Sequence, residues 1–425
     1  MAAESYIGDG QEWQVRTLRD ANVALIDCDH RTPPAQEEGY PYVTIPQLKN
    51  GRIELWNSRR ISREHYFEWT RKAKPSAYDV VLSRRCNPGE TAFVPPDVEF
   101  ALGQNLVLLR SDGTVVYPPF LRWLVRGPEW WDQIKTFINV GAVFESLRCA
   151  DIPNFSLCIP PLREQKLIAG FLGVLDERIE LLQKQSLSLE QIARAIFKSW
   201  FVDFDPVRAK AEGREPEGMD AATASLFPGE FEESLLGQIP AGWNMGRLDD
   251  LLVLQRGFDL PNVARTLGPF PVIAASGPSG THSEYRVKGP GVVTGRSGVL
   301  GNVYWVDDDF WPLNTSLWIK EYKRATPAYA LQYLRTLDLS SFNAGSAVPT
   351  LNRNHIHGLP TVVPPTTIVQ EFDEVATPLF ESIRMNQKQA ATLTDLRDTL
   401  LPRLISGKLR VPEVEAMLTG GCREV

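Results

Sequence analysis

The chain has 425 residues, of which 43% are hydrophobic and 23% are charged, and its formal net charge at pH 7 is −7. This length predicts two or three globular domains of ordinary composition. No apolar run approaches the roughly 18 residues of a membrane span, and the N-terminal segment lacks the pattern of a signal peptide, so we expect a cytoplasmic protein without membrane contact. The five cysteines are scattered and never spaced as a metal-binding pair, which predicts plain thiols.

The first predicted globular segment covers residues 1–158 and has an α/β (α+β) fold with a curved sheet. A helix is predicted over residues 62–71 with Ser62 as its cap, and a tryptophan-rich helix over residues 121–134. Apolar runs bounded by turn residues predict strands over residues 42–45, 79–83, 92–94 and 105–109.

Residues 49–85 form a basic stretch in this acidic chain, with ten basic and four acidic side chains and therefore a local charge of +6. Aromatic residues such as Trp56 and Trp69 are interleaved with the charges, as on surfaces that neutralise phosphates and pack on sugars or bases. The alternative is a solvated charged face. The candidate DNA-binding residues of this stretch are Lys49, Arg52, Arg59, Arg60, Arg71 and Lys72.

Residues 159–201 are predicted to form one long helix, the central helical spacer of the chain. From Ile168 to Trp200, apolar side chains recur at alternating spacings of four and three residues, which is the heptad pattern of a coiled coil. At about 1.5 Å per residue, residues 163–201 make a helix on the order of 55 Å long. A helix with such an apolar seam needs a partner helix.

The rest of the chain repeats this plan. Residues 202–242 are charged and rich in proline and glycine, which predicts a loosely packed linker. Residues 243–362 resemble the first globular segment in outline, residues 363–410 form a second, C-terminal helical spacer, and residues 411–425 are a tail.

An internal repeat relates the two helical segments. A shift of 204 residues places Ile383 on Ile179 and the Gln-Lys-Gln of residues 387–389 on that of residues 183–185. We therefore predict that the two helices form an antiparallel coiled coil within the chain and relate its halves by a pseudo-twofold repeat. Two residues depart from the pattern: Arg397 is the charged member of the second seam, and Pro378 is expected to kink or restart the second helix.

Enzymatic signatures are mostly missing. The glycines of residues 295–302 lack the Lys-Ser/Thr pair of a phosphate loop, and no methyltransferase motif is present. Asp309, Glu321 and Lys323 have residue types found in metal-dependent nucleases, but such a set is common by chance. His355 and His357 lack a further ligand at useful spacing. We therefore predict neither a catalytic centre nor a metal site in this chain.

Two turns at equivalent places carry arginine: residues 83–85 (Ser-Arg-Arg) and residues 295–297 (Gly-Arg-Ser). They can be tight turns between core strands, or they can bind DNA, because arginine reaches phosphates and forks onto guanine, while serine serves other base edges. The candidate DNA-binding residues outside the basic stretch, together with those of the turns, are Thr32, Arg84, Arg85, Arg256, Ser276, Ser279, Thr281, His282, Arg296, Ser297 and Arg353.

Nearly the whole chain resembles the specificity subunits of type I restriction-modification systems. The resemblance rests on the Pro-Pro and Arg-Glu-Gln of residues 160–165, on WFVDFDPV at residues 200–207 with the AEGREP that follows, and on LLPRLISGKLRV at residues 400–411. The globular segments resemble target recognition domains in outline, including the DHRTPP loop of residues 29–34. The second helical entry departs from the pattern, with TTIVQEF at residues 366–372.

The resemblance implies how the chain acts. Each globular segment would read one half of a bipartite, asymmetric target in double-stranded DNA, and the helices would fix the separation of the halves. One helical turn of DNA, about 34 Å, is within the span of the helices. Two methyltransferase subunits would bind the helices and the backs of the globular segments, and two restriction/translocase subunits would complete the complex. S-adenosylmethionine, ATP and Mg²⁺ would bind those partners and not this chain.

Two other functions remain open at this stage. An enzyme that itself cuts or methylates DNA would need a cofactor loop or a metal site, and neither is found in the sequence. A coiled-coil scaffold explains the helices but gives no purpose to the dissimilar globular segments and the basic stretch.

Overall fold

The computed structural model of the protein describes residues 7–8, 11–140, 145–345 and 348–420. The chain divides into two compact units, the first formed by Met1–Glu180 with Ala390–Val425 and the second by Leu181–Gln389. Each unit contains one globular segment and half of each long helix, so the division falls inside the helices. Among the described residues, no helix combines the length and apolar character that crossing a membrane requires.

The first unit is rich in short strands and begins the first long helix. Its strands are β1 (Ile7–Gly8), β2 (Gln11–Glu12), β3 (Gln14–Thr17), β4 (Val23–Asp27), β5 (Tyr40–Val43), β6 (Leu48–Lys49), β7 (Arg52–Ile53), β8 (Arg59–Ile61), β9 (Val80–Ser83), β10 (Thr91–Phe93), β11 (Ala101–Leu102), β12 (Leu106–Ser111), β13 (Asn139–Val140), β14 (Glu145–Ser146) and β15 (Ser156–Ile159). Its helices are α1 (Arg63–Thr70), α2 (Pro118–Leu124), α3 (Pro128–Phe137) and the start of α4 (Leu162–Phe201).

The helix predicted over residues 62–71 is confirmed, and the Ser62 side chain accepts a hydrogen bond from the His65 backbone N–H. The single helix predicted over residues 121–134 is wrong, because α2 and α3 are separate. Gly127 caps α3 and Pro128 is its first residue. Proline suits a helix start but lacks the N–H that a continuing helix would need there.

Strand β9 shows why the core of the first unit has two layers. It lies in a four-stranded antiparallel sheet of order β10-β9-β12-β4. Val80 and Leu82 pack in one hydrophobic cluster with the helices, and Val81 packs in another with Val43 and Phe100. Alternate side chains point to opposite faces of a strand, so a run of apolar residues indicates a strand buried on both sides.

The second unit continues α4 and begins the second long helix. Its strands are β16 (Phe231–Ser234), β17 (Gly237–Pro240), β18 (Asn244–Arg247), β19 (Leu252–Arg256), β20 (Phe270–Ala274), β21 (Gly277–His282), β22 (Gly291–Gly295), β23 (Val303–Val306), β24 (Trp311–Pro312), β25 (Ser316–Tyr322) and β26 (Pro360–Val363). Its helices are α5 (Asp205–Ala211), α6 (Ala221–Ser225), α7 (Leu248–Leu251), α8 (Pro327–Thr336), α9 (Arg353–His357) and the start of α10 (Thr366–Ile405), whose end lies in the first unit with α11 (Val411–Gly420).

The two units have the same sheet topology, which confirms the internal repeat. The second unit has a four-stranded sheet of order β19-β25-β22-β23, matching β4-β12-β9-β10 of the first. A three-stranded sheet with one parallel pair accompanies each, β11-β5-β8 in the first unit and β21-β20-β24 in the second. A two-stranded pair, β15-β3 or β18-β26, joins the beginning and the end of each globular segment.

The segment of residues 202–242 differs from the loosely packed linker that its composition suggests. It forms two helices and a hairpin, and Phe204, Val207 and Phe227 are buried in the hydrophobic core of the second unit. These apolar residues are spaced among charged ones, so the average composition hides them.

Helices α4 and α10 each have 40 residues. In the first unit, Ile168 and Leu172 of α4 share a cluster with Leu400 and Leu404 of α10. In the second unit, the Phe197, Trp200 and Phe201 rings lie 5.6 to 6.1 Å from the ring of Phe372. The beginning of each helix thus meets the end of the other, which confirms the predicted antiparallel coiled coil.

The expected restart of the second helix at Pro378 is wrong, because α10 runs unbroken from Thr366 to Ile405. Pro378 is exposed, so its ring lies on the solvent side of the helix and its missing N–H leaves no buried group without a partner.

Gln165 explains one of the sequence motifs. It is completely buried, and its side-chain oxygen accepts from the Tyr117 backbone N–H at 2.6 Å while its nitrogen donates to the carbonyl oxygens of Val115 and Pro160. This glutamine therefore joins the start of α2 to the start of α4. The corresponding residue of α10, 204 positions later, is Val369, which is also buried but has an apolar side chain. In the second unit, the start of α8 is capped by the Thr326 side chain.

Candidate nucleic-acid interface

In the first unit, the loop of residues 27–34 is held by hydrogen bonds to its backbone. The Trp69 indole N–H and the Tyr42 hydroxyl both donate to the Arg31 carbonyl, at 2.9 and 3.2 Å. The Arg31 guanidinium lies 4.6 Å from the centre of the Trp69 ring and forms ion pairs with Asp29 and Glu68, each at 2.8 Å. The loop is therefore fixed against α1.

Three predicted DNA-binding residues converge on this loop. Lys72 Nζ donates to the Cys28 carbonyl at 3.4 Å, and Arg59 donates to the Pro33 carbonyl at 3.1 Å. The Thr32 hydroxyl accepts from the Gln104 side chain at 3.1 Å. Lys72, Arg59 and Thr32 are exposed, so positive charge and a hydroxyl group border one exposed loop.

Other members of the basic stretch lie elsewhere. Arg52 forms ion pairs with Asp176 at 3.0 Å and Glu180 at 2.5 Å, both on α4, so this predicted DNA-binding side chain serves contacts within the protein. Lys49 pairs with Glu54 at 2.7 Å. Arg60 donates to the Gly39 carbonyl, and Arg71 is exposed at the end of α1.

The two arginine turns have the same backbone frame. In the first unit, the Arg84 N–H donates to the Asn105 carbonyl at 2.9 Å, and the Leu147 N–H donates to the Arg84 carbonyl at 2.9 Å. In the second unit, the Arg296 N–H donates to the Thr315 carbonyl at 2.8 Å, and the Leu351 N–H donates to the Arg296 carbonyl at 2.8 Å.

The next residue of each turn also corresponds. Arg85 forms an isolated antiparallel bridge with Ser146, and Ser297 forms one with Thr350. The predicted equivalence of the turns is therefore confirmed at the level of hydrogen bonds, although their sequences share little. Each unit thus presents the same turn with different side chains.

The other candidates of the second unit are dispersed around the β20-β21 hairpin and its neighbours. Arg256 pairs with Asp259 at 3.2 Å, and the Ser279 carbonyl accepts from Arg265 at 2.7 Å. His282 is buried, with Nδ1 3.2 Å from the Thr266 backbone nitrogen, which makes it a packing residue here. The exposed candidates of the second unit are Arg256, Ser276, Thr281 and Arg353.

His30 and Arg31 also lie exposed in this loop, although neither is among the predicted DNA-binding residues. His30 Nε2 is 3.0 Å from Asp27, and its other ring nitrogen is 3.9 Å from the Cys28 sulfur. The Cys28 thiol donates to the Gly103 carbonyl, and burial, together with the charge of Asp27, raises its pKa to about 11. These groups are thus engaged with one another and with the backbone. The DHRTPP motif was the available signal for this loop.

Two of the residues considered for catalysis or metal binding, Asp309 and His357, accept hydrogen bonds from backbone N–H groups. Asp309 accepts from the Gly289 N–H at 3.0 Å. The Leu254 N–H donates to His357 Nε2 at 2.9 Å, and burial lowers the pKa of this histidine.

Comparisons with known proteins show what this chain is similar to. Residues 10–191 match the family model described as type I restriction modification DNA specificity domain. The type I restriction enzyme MjaIX specificity subunit of Methanocaldococcus jannaschii is 24% identical, covering 95% of both chains. The type I restriction enzyme HindI specificity subunit of Haemophilus influenzae is 25% identical, covering 78% of this chain and 86% of the relative.

One solved structure agrees at the level of the fold. The S subunit of a type I restriction-modification system from M. genitalium matches with a TM-score of 0.57 and 17% identity, covering 94% of this chain and 97% of that one. Fold, family match and near full-length relatives agree with the motifs of the helical repeats. The chain is therefore similar over nearly its full length to type I restriction enzyme specificity subunits, and its residues 10–191 match the DNA specificity domain of that family.

Proposed function

We propose that this chain selects the DNA target of a type I restriction-modification complex, with the globular part of each unit reading one half of a bipartite target. The observation that carries the proposal is the repeated turn: the same backbone frame presents Arg84 and Arg85 in one unit and Arg296 and Ser297 in the other. Side chains at such a turn reach phosphates or base edges in a groove.

The repeat also supports an asymmetric target. A symmetric dimer presents identical side chains twice and reads a palindrome. Here the two copies of the fold lie in one chain and differ in sequence, so each half of the target is read by different residues. The proposed target is therefore two unlike half-sites separated by unread bases.

The chemistry of the complex belongs to its partners in this proposal. Two methyltransferase subunits bind S-adenosylmethionine, and two restriction/translocase subunits use ATP and Mg²⁺, while this chain is the non-catalytic subunit. Exposed apolar side chains on the long helices suit such partners: Leu167 and Val174 in the first unit, and Leu187 and Ile192 in the second. The site of action is the cytoplasm, where the chain meets duplex DNA.

The acidic net charge is compatible with this role. DNA affinity depends on neutralising phosphates, and a net charge of −7 is unfavourable for a protein that binds DNA by itself. In this proposal, the exposed basic side chains around the loop of residues 27–34 contact phosphates locally, and the partner subunits make the remaining phosphate contacts.

Long-read mapping of methylated adenines tests the proposal. DNA is compared from cells that express this chain and its methyltransferase partner together and from cells that express either one alone. We expect a bipartite, asymmetric motif with a fixed gap only when both are present. Methylation that is independent of this chain would contradict the proposal and favour a scaffold, whereas methylation by this chain alone would indicate an enzyme.

A further inference from the structure

We infer that Arg85 and Ser297 are equivalent base-reading positions of the two units, whereas Arg84 and Arg296 hold the turns in place. This inference rests on the proposed function and assigns specificity within it. It predicts that Arg85 selects a guanine in one half-site and that the other half-site is read at the corresponding position by a serine.

The shape of the two turns supports the equivalence. The residue after each reading position has a left-handed backbone, with φ of 64° at Cys86 and 96° at Gly298. Three residues later both turns contain a left-handed glycine, Gly89 with φ of 96° and Gly301 with φ of 93°. Two left-handed residues at the same spacing, together with the shared hydrogen bonds, place Arg85 and Ser297 at corresponding positions of the two turns.

The Arg84 side chain is engaged with the protein. It is 12% exposed, its guanidinium donates to the Leu147 carbonyl at 3.4 Å, and one nitrogen lies 3.9 Å from an Asp27 carboxylate oxygen. The Arg296 guanidinium likewise donates to a backbone carbonyl, that of Asn314, at 3.2 Å. Both arginines therefore tie the turn to the strands and segments beside it.

Arg85 has a fixed backbone and an exposed side chain. Its carbonyl accepts from the Ser83 hydroxyl at 3.0 Å and from the Asn87 N–H at 2.7 Å. In the part of the chain that the structure describes, no hydrogen bond or ion pair engages its guanidinium. A rigid backbone carrying a free guanidinium has the arrangement that direct base reading requires, because little ordering is needed on binding.

The two side chains differ in what they can select. A guanidinium donates two parallel hydrogen bonds to O6 and N7 of guanine, and no other base offers this pair of acceptors in the major groove. A serine hydroxyl can donate or accept and does not by itself select one base. Arg85 should therefore specify one G·C pair strictly, and Ser297 should contribute less to discrimination.

The test uses the complex of the full chain with its methyltransferase partner. Once mapping has given the wild-type motif, initial methylation rates are measured on duplexes in which each motif base pair is varied in turn. Arg85→Ala should reduce the rate on the cognate duplex about tenfold to a hundredfold and abolish discrimination at one G·C pair of one half-site. Arg85→Lys should have the same relaxed specificity, because it keeps the charge and loses the fork.

Gain of function tests the equivalence of the turns. Ser297→Arg should create a preference for guanine at one position of the other half-site and leave the first half-site unchanged. Arg19→Ala, which removes an exposed arginine of the first unit away from the turn, is the charge-matched control and should leave both the rate and the motif unchanged.

Three results would overturn the inference. The first is that Arg85→Ala slows methylation equally on every duplex, which is the behaviour of a phosphate contact. The second is that Arg84→Ala, and not Arg85→Ala, relaxes the specificity at one position while urea denaturation shows that the variant is folded. The third is that Ser297→Arg leaves the specificity at the second half-site unaltered. If the wild-type complex had no bipartite motif at all, the proposed function itself would fail, which distinguishes that failure from the failure of this assignment.

Discussion

Asp176 of α4 and Arg397 of α10 form a buried ion pair, with Arg397 Nη1 2.5 Å from Asp176 Oδ1. Asp176, whose side chain is 2% exposed, also pairs with Arg52 and Arg122. This one carboxylate therefore links four elements of the first unit, namely the long helices α4 and α10, the helix α2 and the strand β7. Arg397, the charged exception in the heptad seam, therefore has its counter-charge on the partner helix.

Asp176→Ala should lower the free energy of unfolding by about 3–5 kcal/mol, because it leaves the arginines around this position without their shared buried partner. Urea denaturation followed by circular dichroism measures the change. Glu177→Ala, at the exposed neighbouring position, is the control and should change stability by less than about 0.5 kcal/mol. Equal effects of the two substitutions would contradict the role of the buried carboxylate.

The same carboxylate should make stability depend on pH. Burial by itself raises the pKa of Asp176, but the charges of Arg122, Arg52 and Arg397 outweigh burial and hold the pKa below its usual value. The pKa of an aspartate in the unfolded chain is near 3.9, and above that pH a carboxylate whose pKa is lower in the folded protein contributes its full stabilisation to the fold. This contribution is lost as the pH falls through the pKa of the folded protein. The stability advantage of the wild type over Asp176→Asn should therefore shrink below about pH 4, and a constant difference from pH 5 to pH 3 would contradict this.

Cys86 has a left-handed backbone where the equivalent turn has Gly298. This conformation costs an L-residue about 1–2 kcal/mol, and glycine avoids this cost. Glycine has more conformational freedom to lose on folding, which offsets part of the gain in stability. Cys86→Gly should therefore raise the free energy of unfolding by about 0.5–1 kcal/mol.

The matched substitution is Gly298→Ala, which should lower the free energy of unfolding by a similar amount. An added Cβ at Gly298 meets no atom within 4 Å, so only the backbone conformation is tested. Thermal unfolding measures the change in stability of both variants, which should be positive for Cys86→Gly and negative for Gly298→Ala. Changes of the same sign would show that the two turns are not conformationally equivalent.

Pro378→Ala should stabilise the protein by about 1–3 kcal/mol, because alanine restores the backbone hydrogen bond to the Glu374 carbonyl and removes the steric conflict of the ring. The proline is exposed in an unbroken helix, so no packing is lost with it. Urea denaturation provides the measurement, with the exposed neighbour substitution Thr377→Ala as control. A destabilised Pro378→Ala variant would mean that the helix depends on a bend at this position.

The length of the helices should set the gap in the target. Asp176 meets Arg397 in the first unit, and Trp200 meets Phe372 in the second, so residues 183–186 of α4 correspond to residues 387–390 of α10. Deleting both sets of four residues removes about 6 Å of helix, or about two base pairs of DNA. Adenine mapping should show a gap shortened by about this amount.

Replacing the seven of these eight residues that are not already alanine by alanine keeps the length and should leave the gap unchanged. If the deletion variant methylated the wild-type motif with its wild-type gap, the helices would not determine the spacing. Loss of all methylation together with loss of the complex on size-exclusion chromatography would indicate an assembly defect. In that case the four-residue deletions would be replaced by deletions of seven residues from each helix, which retain the heptad phase.

The sequence by itself determined the large-scale plan of this protein. The sequence shows the heptad seams, the repeat at a shift of 204 residues and the buried strands. Each of these is a pattern of apolar residues along a single element, so it can be recognised from neighbouring residues alone. The two arginine turns were also predictable as equivalents, because each follows a buried strand that leads into a glycine-containing loop.

The tertiary structure alone decided which charged side chains are available to DNA. Arg52 belongs to the basic stretch by composition, yet its partners Asp176 and Glu180 lie more than a hundred residues away in sequence. Arg84 and Arg85 are adjacent and identical in type, and only the position of Asp27 and the Leu147 carbonyl distinguishes the engaged arginine from the exposed one. Hydrogen bonding and ion pairing between distant residues depend on how the elements pack, and that information is absent from any local pattern.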